Sequence, residues 1–127
     1  MIDHISIAVR DLAASSRFYA AVLGTLGFAK LRDQVTTVGF GKAYPEFWLN
    51  HRPAMTQPAP GGGVHICFRA PSTEAVDAFH AAALRAGGGS DGAPGLRPEY
   101  NAGYYAAFIR DPDGNRIEAV TFLDRRR

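Results

Sequence analysis

The chain of 127 residues has little cysteine and no long apolar run. Its single cysteine, Cys67, excludes an intramolecular disulfide, and such sparing use of cysteine is typical of a cytosolic protein. The start of the chain shows no basic segment followed by an apolar stretch, and nowhere do about 18 apolar residues run together. We therefore expect a cytoplasmic protein with neither a secretory signal nor a membrane span.

Net charge is also small. The formal charge of +2 is less than the three charges of Arg125, Arg126 and Arg127, so the rest of the chain is nearly neutral. No basic stripe with interleaved aromatic residues is present, and nucleic-acid binding relies on such a surface. We expect no nucleic-acid partner, and we interpret the basic tail, 124–127, as a solvated end.

A repeat is the most informative feature that is present. The segment His4-Ile5-Ser6-Ile7-Ala8-Val9 recurs 61 residues later as His65-Ile66-Cys67-Phe68-Arg69-Ala70. A helical pattern follows each copy, and the 61-residue spacing continues into these helices, where Phe18 matches Phe79. The repeat predicts a duplicated unit, and short units of this kind share a core rather than fold alone.

Periodicity and turn residues predict the order β-α-β-β-β, twice. A single domain over 1–127 is expected, with module 1 at about 1–52, a linker rich in proline and glycine at about 53–63, and module 2 at about 64–123. Asp11 and Ser72 are predicted to cap the two helices. Predicted strands lie near 2–9, 29–32, 35–40, 46–50, 64–69, 104–110 and 115–122, with a weak strand near 88–91 and a loop bordering the site over 89–98.

Two histidines and one carboxylate are candidates for a metal site. His4 and His65 occupy the same place in the two copies, on the less apolar face of a strand, and Glu118 lies on the last predicted strand. Imidazole and carboxylate suit divalent Fe, Mn, Zn, Ni or Co, and three protein ligands leave positions for substrate or water. The alternative is an unmetallated cavity in which Glu118 pairs with Arg69 or Arg116.

These residues carry a family resemblance over nearly the whole chain. His4-Ile5, the helix start at Asp11-Leu12 and the string Asp111-Pro112-Asp113-Gly114-Asn115-Arg116-Ile117-Glu118 resemble the vicinal oxygen chelate superfamily, the glyoxalase, bleomycin-resistance and extradiol-dioxygenase group. The segments 45–49, 95–98 and 104–108 resemble a small bacterial subgroup of mostly unassigned activity. The resemblance implies an α+β fold in which two βαβββ modules form an open, cup-like, eight-stranded barrel around a divalent metal. It also implies a homodimer and metal ligands at His4, His65 and Glu118.

Further roles follow from the resemblance. Glyoxalase-type members take a fourth ligand from the last strand of the first module, where Trp48 stands, unless a shifted register brings Glu46 there. Trp48 is otherwise expected to stack on substrate. An acid or base is expected from Tyr104 or Tyr105, of which one must face the cavity because neighbouring strand residues alternate.

Other polar residues near the site have both a functional and a structural interpretation. His51 could overhang the pocket or be simply solvated. Arg69 and Arg97 could neutralise an anionic substrate or form surface ion pairs. His80 is interpreted as a packing residue of the second helix, and Cys67 as a small filler.

Two functions are compatible with this sequence. One is a divalent-metal-dependent enzyme, a lyase, isomerase or dioxygenase, that chelates neighbouring oxygens of a small-molecule substrate. The other is a non-catalytic protein of the bleomycin-resistance type that sequesters a small molecule in a cleft lined by Trp48, Tyr104 and Tyr105.

Overall fold

A computed structural model describes residues 1–58 and 61–124. The basic residues 125–127 and positions 59 and 60 of the predicted linker lie outside the described residues. The elements, in chain order, are β1 (Ile5–Val9), α1 (Leu12–Gly24), β2 (Ala29–Asp33), β3 (Thr37–Gly41), β4 (Pro45–His51), β5 (Ile66–Arg69), α2 (Thr73–Arg85), β6 (Gly89–Leu96), β7 (Tyr104–Arg110) and β8 (Arg116–Phe122).

The strands form two four-stranded sheets with the same internal order. The first sheet has the order β1-β4-β3-β2 and the second has the order β5-β8-β7-β6. In each sheet the first strand of the unit pairs in parallel with the last, and the other pairs are antiparallel. The predicted α+β fold of two βαβββ modules is confirmed, and neither sheet closes on itself.

One element differs from the prediction. The segment 89–98, expected to be mainly a loop, contains the eight-residue strand β6, which pairs with β7. Its register shifts twice, between Ser90 and Gly92 and between Gly92 and Gly95. Such bulges accommodate glycine and proline in an edge strand, which explains why the local composition looked like a loop.

Both helices begin at the predicted caps. The Asp11 carboxylate accepts a hydrogen bond from the Ala14 backbone N–H at 3.0 Å, and the Ser72 hydroxyl accepts one from the Ala75 N–H at 3.1 Å. Each cap satisfies a backbone donor that the first helical turn would otherwise leave unpaired. With 13 residues each, neither helix of the described ranges has the length and apolar character that crossing a bilayer requires.

A common core joins the two modules. The helix-facing sides of both sheets are apolar, as at Leu49 in the first sheet and Ile109 and Ile117 in the second, all of which are fully buried. Phe47 of the first sheet meets Phe68 of the second edge to face, with ring centroids 5.2 Å apart. The opposite sides of the sheets therefore point away from this core, and we call them the outer faces.

A buried polar cluster also connects the modules. Tyr19 of α1 is fully buried, and its hydroxyl donates to the Asp111 carboxylate at 2.6 Å. Asp111 also accepts from the Asn115 side chain and from the backbone N–H groups of Asp113 and Asn115. Arg10, at the end of β1, pairs with Asp113 at 3.0 Å. The turn between β7 and β8 thus does more than reverse the chain, because it anchors the second module to the first.

Candidate metal-binding site

Glu118 is a buried carboxylate on the outer face of the second sheet. Its side chain is only 3% exposed, and two polar side chains contact it. His65 places Nε2 at 3.0 Å from Oε1, and the Tyr104 hydroxyl donates to Oε2 at 2.5 Å. A buried carboxylate is costly unless it is hydrogen-bonded or paired, and here each oxygen has a partner.

The pairing of the strands brings these three side chains together. Cys67 of β5 and Phe108 of β7 lie directly opposite Glu118 on its two sides. His65 precedes β5 and shares the parity of Cys67, so both face outward beside Glu118. Tyr104 begins β7 on the same face as Phe108.

The carboxylate also affects the two neighbouring weak acids. Desolvation against the sheet, and then the charge of Glu118, raise the pKa of the Cys67 thiol to about 12. Desolvation, followed by the hydrogen bond to Glu118, raises the pKa of Tyr104. Both groups therefore keep their protons at neutral pH, and Tyr104 is a hydrogen-bond donor to the carboxylate.

His4 lies at the first sheet, away from His65 and Glu118 at the second. It precedes β1 on the outer face of the first sheet, its side chain is 55% exposed, and its Nδ1 contacts the Asp3 carboxylate at 2.7 Å. Within residues 1–58 and 61–124, no three His, Cys, Asp or Glu side chains come close enough to hold an ion together. One chain therefore brings together His65 and Glu118 and leaves His4 apart from them.

The pair of His65 and Glu118 fits a divalent cation. Two ligand atoms that lie about 2.1 Å from one ion are about 3.0 Å apart at the right angle of octahedral coordination and about 3.4 Å apart at the tetrahedral angle. The separation of His65 Nε2 and Glu118 Oε1 is 3.0 Å. The second carboxylate oxygen is held by Tyr104, and outer hydrogen bonds of this kind orient carboxylate ligands.

The register of the first sheet decides between Trp48 and Glu46. Ser6 lies opposite Trp48, just as Cys67 lies opposite Glu118, and Ser6 matches Cys67 in the repeat. Trp48 is thus the counterpart of Glu118, and Glu46 lies two residues earlier on the same outer face. The ring of Trp48 covers Gly39, where a Cβ atom would come within 2.9 Å of it.

Two other predicted residues face away from the outer faces. Tyr105 donates its hydroxyl to Asp77 of α2 at 2.6 Å, so Tyr104 is the tyrosine on the side of Glu118. His51 has the parity of Phe47 and pairs with Val9, which is buried in the core. Strand alternation thus places His51 on the opposite side of β4 from Trp48.

A cavity of about 530 Å³ adjoins His65. Its walls include Arg97, Arg116, which the sequence suggested only as an ion-pair partner of Glu118, and Tyr100 and Phe108, which sequence reasoning did not assign to the site. Phe108 could have been found from its parity with Tyr104, whereas Tyr100 lies outside any strand and gives no periodic signal.

The remaining predicted residues lie outside this cavity. Arg69 borders a separate cavity near the end of β8 and stacks on Phe122, with its guanidinium carbon 5.1 Å from the ring centroid. His80 is half-buried on α2, where its Nε2 lies 2.8 Å from the Ser90 hydroxyl.

Comparisons with known proteins agree with this architecture. Residues 1–119 match the model of the glyoxalase/bleomycin resistance protein/dioxygenase superfamily. The chain is 30% identical over 127 residues to the virulence protein STM3117 of Salmonella typhimurium strain LT2, covering 96% of this chain and 84% of that one.

Solved structures show the same fold. A glyoxalase/bleomycin resistance protein from Albidiferax ferrireducens T118 superposes with a TM-score of 0.82 at 34% identity, covering 93% of this chain and 96% of that one. FosX, a fosfomycin resistance protein from Listeria monocytogenes, superposes with a TM-score of 0.71 at 17% identity, covering 100% and 98%. The chain belongs to the glyoxalase/bleomycin resistance protein/dioxygenase superfamily, which is also called the vicinal oxygen chelate superfamily.

Proposed function

We propose that this protein is a divalent-metal-dependent enzyme acting on a small molecule, with His65, Glu118 and the His4 of a second copy as its metal ligands. The observation that carries the proposal is the buried Glu118 carboxylate, held between His65 Nε2 and the Tyr104 hydroxyl. Charges buried in proteins are paired or coordinate metals. Membership of the superfamily supports the same conclusion.

A second copy is needed because His4 is on the other sheet. Within one chain the two sheets turn their helix-facing sides toward a common core, so their outer faces point apart. A homodimer can place the outer face of the first sheet of one copy against the outer face of the second sheet of the other. Two-fold symmetry would then form two equal sites.

The surroundings of His4 suit a ligand role. Its Nδ1 faces the Asp3 carboxylate, and a proton on Nδ1 leaves the lone pair of Nε2 available. Metal-binding histidines commonly donate the other ring N–H to a carboxylate, which fixes the tautomer. Trp48 and Glu46 share the outer face of His4, so the same arrangement would bring them to the cavity beside His65.

The chain's own residues have distinct roles in this proposal. A bound divalent ion would supply a Lewis acid that stabilises negative charge on substrate oxygens. Tyr104 holds the Glu118 carboxylate in one orientation through Oε2, leaving Oε1 toward His65. Trp48 offers a flat apolar surface for substrate, and Tyr104 positions Glu118 because its hydroxyl proton is held by that carboxylate, whereas Tyr105 is engaged by α2.

Metal analysis tests the proposal. Protein purified without a histidine tag and incubated with Mn²⁺, Fe²⁺, Co²⁺, Ni²⁺ or Zn²⁺ should retain close to one ion per chain. His65→Ala, Glu118→Gln and His4→Ala should each lose the ion, because three ligands are the minimum at such sites. His80→Ala is the matched control and should keep it, since His80 lies on α2. Retention of metal by His65→Ala would contradict the site.

A mixing experiment tests the second copy. His4→Ala and His65→Ala chains are each expected to be metal-free alone. Unfolded and refolded together, they form heterodimers in which one of the two sites has all three ligands. The mixture should recover about a quarter of the wild-type metal if chains associate at random. A site built within one chain would recover none, which would refute the shared arrangement.

The sequestration hypothesis makes the opposite prediction. It expects a metal-free protein that binds flat aromatic molecules. In the homodimer proposed above, Trp48 of the first sheet and Tyr104 of the second could line one cleft, but Tyr105 faces α2 and is not part of it. Wild-type protein that takes up no divalent metal but binds such ligands would replace the enzyme proposal with this one. The cytoplasmic location expected from the sequence remains a prediction.

A further inference from the structure

Resting on the proposed metal centre, we infer that the substrate carries an oxyanion, a carboxylate, phosphonate or phosphate, apart from the oxygens at the metal, and that Arg97 binds it. The inference assigns one arginine and one class of substrate. It rests on the position, the charge balance and the fixed conformation of this side chain.

Arg97 lies next to the candidate metal ligands. It lines the same cavity of about 530 Å³ as His65. Its guanidinium carbon is 5.4 Å from the centroid of the Phe108 ring, and Phe108 is the cross-strand neighbour of Glu118. The guanidinium therefore lies over the strand neighbour of Glu118 and lines one cavity with His65, so we expect one small molecule in this cavity to contact Arg97 and an ion held by His65.

The charge of Arg97 has no partner of opposite sign in the described parts of the chain. Nη2 donates to the Ala93 carbonyl at 2.7 Å and Nη1 to the Leu96 carbonyl at 3.4 Å, and no carboxylate of residues 1–58 and 61–124 forms an ion pair with it. A guanidinium has five N–H donors, so donors remain for an oxyanion, which arginine binds through two parallel hydrogen bonds.

Two carboxylates also line the cavity, and neither neutralises Arg97. Asp91 is held by Arg110 Nε at 2.8 Å and by Arg116 Nη1 at 2.9 Å. Glu99 is exposed to solvent and forms no ion pair with Arg97. Among the described residues, the Arg97 guanidinium in this cavity therefore has no ion-pair partner.

The conformation of Arg97 is fixed by β6. A Cβ atom at Gly92 would lie 3.1 Å from Nη2, and one at Gly95 would lie 3.3 Å from Nη1. The two glycines, at the bulges of β6, thus make room for the guanidinium against the backbone. Because the side chain is already held by a carbonyl and a ring, less conformational entropy is lost when it binds an anion.

Arg69 provides a comparison on the same sheet. It also stacks on an aromatic ring, that of Phe122, but it borders a different cavity. Charge on the outer face is therefore not enough for the proposed role, which requires the cavity next to His65.

Binding of phenylphosphonate, measured by calorimetry with and without bound metal, tests the inference, because a phosphonate that only coordinates the ion requires the metal and not Arg97. Benzyl alcohol, which has the ring without the anion, is the neutral comparison probe. Arg97→Gln should weaken phenylphosphonate binding at least about tenfold, the usual loss for a hydrogen bond to a charged group. It should leave benzyl alcohol binding unchanged, and Arg97→Lys should restore part of the loss. Arg85→Gln, an exposed change in the last turn of α2, is the matched control and should have no effect.

Separate outcomes distinguish this inference from the metal proposal. Equal phenylphosphonate affinity in Arg97→Gln and wild type, or a loss produced instead by Arg69→Gln, would overturn the inference even if the metal is present. Phenylphosphonate binding that depends on Arg97 in a protein that takes up no metal would support the oxyanion site and refute the metal centre. Thermal melts of each variant show whether a loss of phenylphosphonate affinity reflects misfolding. Arg97→Lys, which keeps the positive charge, tests the same role with a second variant.

Discussion

Removing the Tyr19 hydroxyl tests the link between the two modules. In Tyr19→Phe the ring keeps its contacts with Phe18, Phe40 and Phe47, and only the 2.6 Å hydrogen bond to Asp111 is lost. A hydrogen bond to a charged group contributes about 1.5–3 kcal/mol. We expect a loss of about 2 kcal/mol, because Asp111 keeps its other donors.

The same loss predicts a shift in melting temperature. With an unfolding entropy of about 2.1 cal/mol/K per residue, a loss of about 2 kcal/mol in a chain of this length lowers Tm by roughly 7 °C. Urea denaturation followed by circular dichroism measures the free energy of unfolding. The slope with denaturant should not change, since the folded state loses no structure.

A tyrosine on the surface is the control for this experiment. Tyr44 is 49% exposed, so Tyr44→Phe should change the free energy of unfolding by less than about 0.5 kcal/mol. If Tyr19→Phe were as stable as Tyr44→Phe, the hydrogen bond from Tyr19 to Asp111 would not stabilise the contact between the two modules. The anchoring role assigned to the turn between β7 and β8 would then be refuted.

Three more changes have defined outcomes. Gly41→Ala places a methyl group against a backbone carbonyl of the turn between β3 and β4 and should lower the free energy of unfolding, measured by urea denaturation, by about 2–3 kcal/mol. Its control is Gly24→Ala, whose methyl group meets no other atom and should raise the free energy of unfolding by about 0.5 kcal/mol. Equal effects of the two substitutions would contradict the packing. Tyr104→Phe should weaken metal binding about 10–100-fold in calorimetric titration by freeing one oxygen of Glu118, and unchanged affinity would refute this support. Burial lowers the pKa of His80 from 6.5, so the folded state binds fewer protons than the unfolded state and stability falls as the pH drops through this range. His80→Gln should therefore lose less stability than wild type between about pH 7 and about pH 5. Parallel curves of unfolding free energy against pH for the two proteins would refute the shift.

The sequence predicts the fold of this protein well because the fold follows from local patterns. Alternation defines the strands, and Asp11 and Ser72 mark the helix starts where the structure has them. Because the two modules are repeats, the order of the elements in the first module also predicts their order in the second. β6 was the exception, because its bulges and glycines hide the alternation on which strand prediction depends.

The candidate site could be predicted only in part. Pseudo-equivalence identified His4 and His65 as a pair, and parity placed each on the outer face of its sheet. Parity also required one of Tyr104 and Tyr105 to face the cavity, but could not say which. In the structure the Tyr104 hydroxyl contacts Glu118 and the Tyr105 hydroxyl contacts Asp77.

What the amino-acid sequence alone determined is the duplicated βαβββ architecture and the family, since both reside in short-range periodicity and in strings such as 111–118. Tertiary structure alone decided that Trp48 is the counterpart of Glu118, that Tyr19 and Asp111 meet across 92 positions, and that His4 lies apart from His65. These facts depend on strand register and on how the two modules pack against each other. Both arise from contacts between residues distant along the chain, which local patterns do not encode.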